Sequence, residues 1–131
     1  FQRRYRQVIG QKLRYLHHRT GRRVSVVGFS LGGVFAIYAA HVAPECVRVA
    51  VTLGSPLRLD PDRPPPPAVR ALYRALALPR GPLLHQAHSR SRQMRTPPPV
   101  PSTCIYSESD GVVPPHQATL DGDPANHENL C

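Results

Sequence analysis

A short β-branched run leads directly into a helical pattern through one serine, Ser30, that has a glycine two positions away on each side. The residues at 24–36 are VSVVGFSLGGVFA. Serine is a weak former of both helix and strand, so its intrinsic propensity does not explain its place there. The stretch therefore predicts a strand, a sharp turn at Ser30 and a helix, an arrangement typical of α/β folds.

The segments around this turn alternate between helical and strand patterns. Apolar residues recur at steps of three and four between 5 and 16, and Gly21 follows the end of that predicted helix. A second helix is predicted over 31–42, before Pro44, and a second strand over 47–53. The valines of the first strand read as too apolar for a half-exposed strand. Short connections between these elements predict a mostly parallel sheet with helices on both faces.

The middle of the chain changes character. Residues 61–101 are rich in proline and arginine, with PDRPPPP at one end and TPPPVP at the other. A short amphipathic helix is predicted inside this segment, over 68–78, and the whole segment is interpreted as an insertion that leaves the sheet and returns. A strand over 103–107 follows, then an Asp-Gly turn, and residues 128–131 are predicted to be the start of a last strand.

The glycines around Ser30 fit the pattern G-x-S-x-G. Strand and helix start pack together at such a turn, so Gly28 and Gly32 are expected to be there because they lack side chains. The turn would hold Ser30 in a strained backbone conformation, present its hydroxyl at the carboxyl edge of the sheet, and aim the Leu31 N–H at a developing oxyanion. A phosphate-binding turn is the alternative. It would need a Gly-Lys-Ser/Thr or G-x-G-x-x-G sequence, which is absent.

Three stretches in order, VSVVGFSLGG, TLGSP at 52–56 and IYSESDGVVP at 105–114, resemble the esterase/lipase-like branch of the α/β-hydrolase superfamily. The resemblance covers nearly the whole chain and implies an eight-stranded sheet, with the serine after the fifth strand and Asp110 after the seventh. It implies no metal and no cofactor. The chain is expected to be an internal part of a hydrolase domain. Residues 1–60 would form the nucleophile half, 61–101 a cap or lid, and 102–131 a strand with the acid loop.

A serine hydroxyl needs a base, and the base needs an acid to orient it. Asp110 is the expected acid because it follows a strand and comes after the serine, as the family order requires. A plain Asp-Gly turn is the alternative reading, and Glu108 is a weaker candidate acid. His127 would lie at the wrong end of the last strand to be the base, so the catalytic histidine is expected beyond Cys131. The other histidines are read as surface or lid residues: His17, His18, His41, His85, His88 and His116.

Charge and cysteine content narrow the function classes. The net charge is +9, and 16 of the 17 cations are arginine, which a GC-rich coding sequence would also produce. No DNA- or RNA-binding motif accompanies the charge, so no nucleic-acid partner is expected. The three cysteines lack metal-ligand spacing, and Cys46 and Cys104 are expected to be buried. No segment is long enough to span a bilayer.

The predicted function is hydrolysis of a carboxylic ester, of a small molecule or a lipid, through an acyl-serine. This chain alone is expected to be catalytically incomplete, because the base and the second oxyanion donor are expected to lie outside it. Two alternatives stay open. One is a noncatalytic hydrolase-fold piece that binds a lipid or a partner. The other is an acyltransferase or thioesterase that uses the same residues.

Overall fold

The computed structural model describes residues 2–58, 96–121 and 127–131, together with Pro67 and Ala71. The predictions made for 61–95 therefore lie almost entirely outside the described residues, as do His85 and His88. In chain order the elements are α1 (Gln2–Thr20), β1 (Val24–Phe29), α2 (Leu31–Val42), β2 (Val47–Leu53), β3 (Ser102–Ile105), α3 (Pro115–Ala118) and β4 (His127–Leu130).

The strands form one parallel sheet in the order β1-β2-β3-β4. Their last residues lie in register, since Phe29 pairs with Leu53, Leu53 with Ile105, and Ile105 with Leu130. Parallel strands end at the same edge of a sheet, so everything that follows these four residues meets at one carboxyl edge. The predicted parallel α/β sheet is confirmed.

Local signals placed the first four elements correctly. Gly21, with φ 66°, ends α1 and donates its N–H to the His17 carbonyl oxygen at 2.8 Å. The bounds of α2 and β2 agree with those predicted. Four details differ from the prediction. Strand β3 begins one residue earlier, at Ser102, and ends earlier, at Ile105; β4 begins one residue earlier, at His127; and the single turn of α3 was not predicted.

The core lies between the sheet and helix α2. Ile37 and Ala40 of α2 pack with Val47, Ala50 and Cys104 of the sheet, all fully buried. Helix α1 adds Leu13 to the same cluster, so both long helices pack against the same sheet face. Cys46 joins the cluster too, and the predicted burial of the two cysteines is confirmed.

The prediction that β1 is buried on both faces is wrong. Val24 and Val26 pack against the core, whereas Val27 and Phe29 are 65% and 75% exposed. The reason is that the described long helices cover only the other face of the sheet. Val51 and Leu53 of β2, which pair with Val27 and Phe29, are likewise only half-buried. Among the described helices, none has the length and hydrophobicity needed to cross a membrane.

Candidate active site

Ser30 is held in a strained backbone conformation, with φ 51° and ψ −124°. No other non-glycine residue in the described part has a positive φ. Two backbone bonds fix the turn: the Ser30 N–H donates to the Leu53 carbonyl oxygen at 2.9 Å, and the Ser30 carbonyl accepts from the Gly33 N–H at 3.0 Å. Such a conformation costs about 1–3 kcal/mol and persists only where its surroundings impose it.

The Ser30 hydroxyl makes no capping bond to the helix that it precedes. A serine at this position normally accepts a hydrogen bond from an N–H of the first turn. Leu31 opens α2, and N–H groups of a first helical turn have no acceptor within the helix. The turn therefore combines a half-buried hydroxyl that is not used as a cap with amides at the positive end of a helix dipole.

Two of the three glycines in this turn are required by close packing. A Cβ on Gly28 would overlap the backbone of Gly32 and Gly33, so β1 and the start of α2 touch there. A Cβ on Gly33 would overlap the Ser55 side chain and lie 2.9 Å from Cβ of Thr52. At Gly32, in contrast, a Cβ would meet nothing within 4 Å. The expectation that packing excludes a side chain at position 32 is wrong. The carbonyl group of Gly32 lies against Gly28, whereas a side chain on Gly32 would point into open space.

The carboxylate of Asp110 is fixed at the same edge of the sheet. Its Oδ1 accepts from the N–H groups of Val112 at 2.8 Å and Val113 at 3.1 Å, so the Asp-Gly turn read from the sequence is present. Its Oδ2 faces Gly54, where an added Cβ would lie 3.2 Å away. Gly54 directly follows β2 and has φ 49°. One oxygen of the carboxylate therefore holds the loop, and the other lies against Gly54 at the end of β2.

Gly54 is a site residue that the sequence analysis missed. It follows the residue that accepts the Ser30 N–H, so it lies between the serine turn and the carboxylate of Asp110. A glycine directly after a buried strand and before Ser-Pro is a recognisable signal for a positive φ. Glu108, the weaker candidate acid, is exposed in the turn before Asp110.

None of the described histidines hydrogen bonds to Ser30 or Asp110. His127 begins β4 and pairs with Ser102, which places it at the amino edge of the sheet, as expected. Its ring is buried, and its Nδ1 has no hydrogen-bond partner among the described residues. The rest lie as follows: His17 donates to the Arg22 carbonyl, His41 donates to the Thr96 carbonyl, and His18 and His116 are exposed.

Comparison with solved structures identifies the architecture. The chain is similar to a monoacylglycerol lipase of Paleococcus ferrophilus, with a TM-score of 0.61 and 15% identity over 96% of the chain. The chain has an α/β-hydrolase-like fold. The chain is also similar to a lipase-esterase related protein of Clostridium acetobutylicum, with a TM-score of 0.54 and 13% identity over 93% of the chain. The chain spans 63% of the length of each of these two hydrolase structures.

No family model and no curated protein sequence matches the chain. Similarity at this level of identity shows the hydrolase fold alone, and one fold can carry many functions. Within the described ranges, no three His, Cys, Asp or Glu side chains are grouped closely enough to hold a metal ion. The site residues described here supply one hydroxyl, one helix amide and one carboxylate at a single sheet edge.

Proposed function

We propose that this chain carries the nucleophile and the acid of a serine esterase that acts on carboxylic esters. The observation that carries the proposal is the positive φ of Ser30, maintained between β1 and α2 by a contact that only glycine at position 28 allows. A simple connection between strand and helix has no need of this strain. It is understandable where the turn has to raise a hydroxyl above the sheet.

In the proposed reaction, the Ser30 oxygen attacks the ester carbonyl carbon while a base accepts the hydroxyl proton. The carbonyl oxygen takes the negative charge, and the Leu31 N–H donates a hydrogen bond to it. Collapse of the tetrahedral intermediate breaks the bond to the alcohol, which leaves with the proton from the base. Water then attacks the acyl-serine by the same route, releases the acid and restores the hydroxyl.

Asp110 has the proposed role of orienting the base. Its Oδ1 is engaged by two backbone amides, so the carboxylate cannot rotate freely, and Oδ2 is left to accept from an imidazole N–H. The base itself is proposed to follow β4. Leu130 is in register with Phe29 across the sheet, so a residue directly after β4 emerges at the edge where Ser30 lies.

The proposed substrate class is a carboxylic ester of a small molecule or a lipid. The names of the two structural neighbours, a monoacylglycerol lipase and a lipase-esterase related protein, support this class. An acyltransferase or a thioesterase would share Ser30, Leu31 and Asp110. An acyltransferase differs from an esterase in the acceptor of the acyl group, whereas a thioesterase differs in the leaving group. Comparing p-nitrophenyl and thioester substrates, with and without an added alcohol, therefore separates the three.

Chemical rescue tests the proposal. No described histidine hydrogen bonds to Ser30, so free imidazole should act as the base and increase p-nitrophenyl acetate hydrolysis above the rate of imidazole alone. Ser30→Ala should remove the whole increase, and Asp110→Asn should remove most of it. The matched control is Ser109→Ala, an exposed serine in the neighbouring loop, which should respond like the unmodified chain. An increase that survives Ser30→Ala would contradict the proposal and favour a noncatalytic role for the turn.

A further inference from the structure

The outer side of α1 carries one continuous row of alternating apolar and cationic side chains, which we name the α1 row. It consists of Val8, Lys12, Tyr15 and Arg19, at steps of four, three and four residues. Residues so spaced lie on one side of a helix, and the row extends for about 16 Å. Val8 and Tyr15 are each 53% exposed, and both cations are exposed. Leu13 packs into the core from a different side of the helix, and the side chains of the α1 row stay exposed.

The two cations of the α1 row lie against its aromatic ring. Nζ of Lys12 is 5.3 Å from the centroid of the Tyr15 ring, and the guanidinium carbon of Arg19 is 5.9 Å from it. Cation–π attraction keeps both charges beside the ring. An amphipathic ring with cations beside it suits the boundary between water and lipid. There the ring can enter the headgroup layer while the cations stay at the level of the phosphates.

No carboxylate in the described part neutralises the α1 row. Aspartate and glutamate are absent from the first 44 residues of the sequence. Within the described ranges, the ion pair that forms joins Arg58 to Asp121, far along the chain. Arg14 differs, because it lies on another side of α1 and shares the neighbourhood of Cys46 with Glu45. The charge of the α1 row therefore remains available to an anionic partner.

We propose that the α1 row docks the protein on an anionic phospholipid surface. Anionic headgroups attract each nearby Lys or Arg, and the exposed parts of Val8 and Tyr15 gain by leaving water. A nucleic acid fits the α1 row less well, because the row offers a single aromatic ring on which a base could stack. The apolar side chain of Val8 would also gain no apolar contact from a phosphate backbone. The contact needs no chemistry at Ser30, so it stands apart from the proposed esterase activity.

Vesicle binding followed by one fluorophore tests this docking. The chain has no tryptophan, so Tyr15→Trp gives a single reporter within the α1 row. Its emission should shift to the blue with vesicles of phosphatidylcholine and phosphatidylserine, and should stay unchanged with phosphatidylcholine alone. Added salt should weaken the binding, since screening reduces attraction between exposed charges. No shift with the anionic vesicles would overturn the proposal.

Paired charge removal tests whether the α1 row itself makes the contact. In the Tyr15→Trp background, Lys12→Gln with Arg19→Gln should weaken binding to the anionic vesicles about 30-fold. The control, Arg14→Gln with Arg48→Gln, removes the same charge from two exposed arginines outside the row and should weaken it about threefold or less. The control also removes the two hydrogen bonds that Arg48 donates to Ser25 Oγ, so the unfolding midpoint of each variant is measured and binding is compared between folded proteins.

Two outcomes separate this proposal from its rivals. Equal loss in the two charge-removal variants, or binding to single-stranded DNA without binding to anionic vesicles, would overturn it. Ser30→Ala should leave vesicle binding unchanged. Failure of the docking proposal and failure of the esterase proposal are therefore read from different measurements.

Discussion

The Ser30 N–H donates to the Leu53 carbonyl oxygen across 2.9 Å, which ties the strained turn after β1 to the end of β2. The next residue, Gly54, lies against the carboxylate of Asp110. A hydroxyl and a carboxylate are thus held over the ends of neighbouring strands by backbone, and not by flexible side chains. This is the relationship on which the esterase proposal depends.

The contact between α2 and β2 should not tolerate a side chain at position 33. Gly33→Ala should lower the free energy of unfolding by about 2–3 kcal/mol, because the added Cβ overlaps Ser55 and the surrounding backbone cannot shift cheaply. Gly32→Ala is the matched control and should change it by less than about 1 kcal/mol, since the space there is open. Urea unfolding curves measure both, and similar losses in the two variants would contradict the described packing.

Gly54 should affect both stability, through its backbone conformation, and activity, through the carboxylate that it faces. Gly54→Ala should cost about 1–2 kcal/mol of stability, because its φ of 49° strains any residue with a Cβ. It should also reduce imidazole-rescued esterase activity, since the new methyl group pushes against Oδ2 of Asp110. Gly21→Ala carries the same strain, at φ 66° and with nothing within 4 Å, and should cost stability alone. If both variants lose the same activity, Gly54 has no special relation to Asp110.

Stability should fall in mild acid because of His41. Burial lowers the pKa of His41 below its ordinary value of 6.5, although the bond to the Thr96 carbonyl partly opposes this shift. Above pH 6.5 the ring is neutral in the folded and unfolded chains alike. As the pH falls below that value, the unfolded chain takes up a proton that the folded chain resists, so the free energy of unfolding decreases down to the folded pKa.

Urea unfolding at a series of pH values between about 8 and 5 measures this effect. His41→Gln should flatten the profile, because an amide N–H can still donate to the carbonyl but does not titrate. His18→Gln, at an exposed position on α1, is the control and should leave the slope as it is. An unchanged slope in His41→Gln would assign the pH dependence to another group.

One of the three thiols should react quickly with a thiol-specific reagent, and the other two should react slowly. Cys131 is exposed, whereas Cys46 and Cys104 are 1% and 0% exposed. Burial also raises the pKa of the Cys104 thiol, so less of the reactive thiolate forms. A thiol-specific chromogenic reagent should titrate one cysteine in the folded chain and all three in urea. Cys131→Ser should abolish the fast phase, and a fast phase that remains would mean that the core opens more readily than described.

Local chemistry is what made the first half of the fold predictable from the sequence. Gly21 ends α1, Pro44 follows α2, and the glycines around Ser30 mark the turn between strand and helix. Each of these residues affects only the few residues next to it in the sequence, because its φ is restricted or its side chain is absent. That is why the bounds of α2 and β2 could be predicted so closely.

Relationships between distant segments could not be predicted in the same way. The contact of Asp110 with Gly54 depends on how the loop after β3 folds back over β2, which no local pattern encodes. The exposure of Val27 and Phe29 depends on which face of the sheet the described helices cover, a property of the tertiary arrangement and not of the side chains themselves. The packing of both cations against Tyr15 depends on side-chain conformations, which the sequence pattern of a helix does not specify.

Mapping the site of covalent labelling tests the central claim most directly. The chain is treated with a fluorophosphonate in the presence of imidazole, and tandem mass spectrometry then locates the adduct. We expect the adduct on the hydroxyl oxygen at position 30, and its loss when alanine replaces Ser30. Labelling of a different serine, or no label at Ser30 in a chain that hydrolyses esters, would contradict the account.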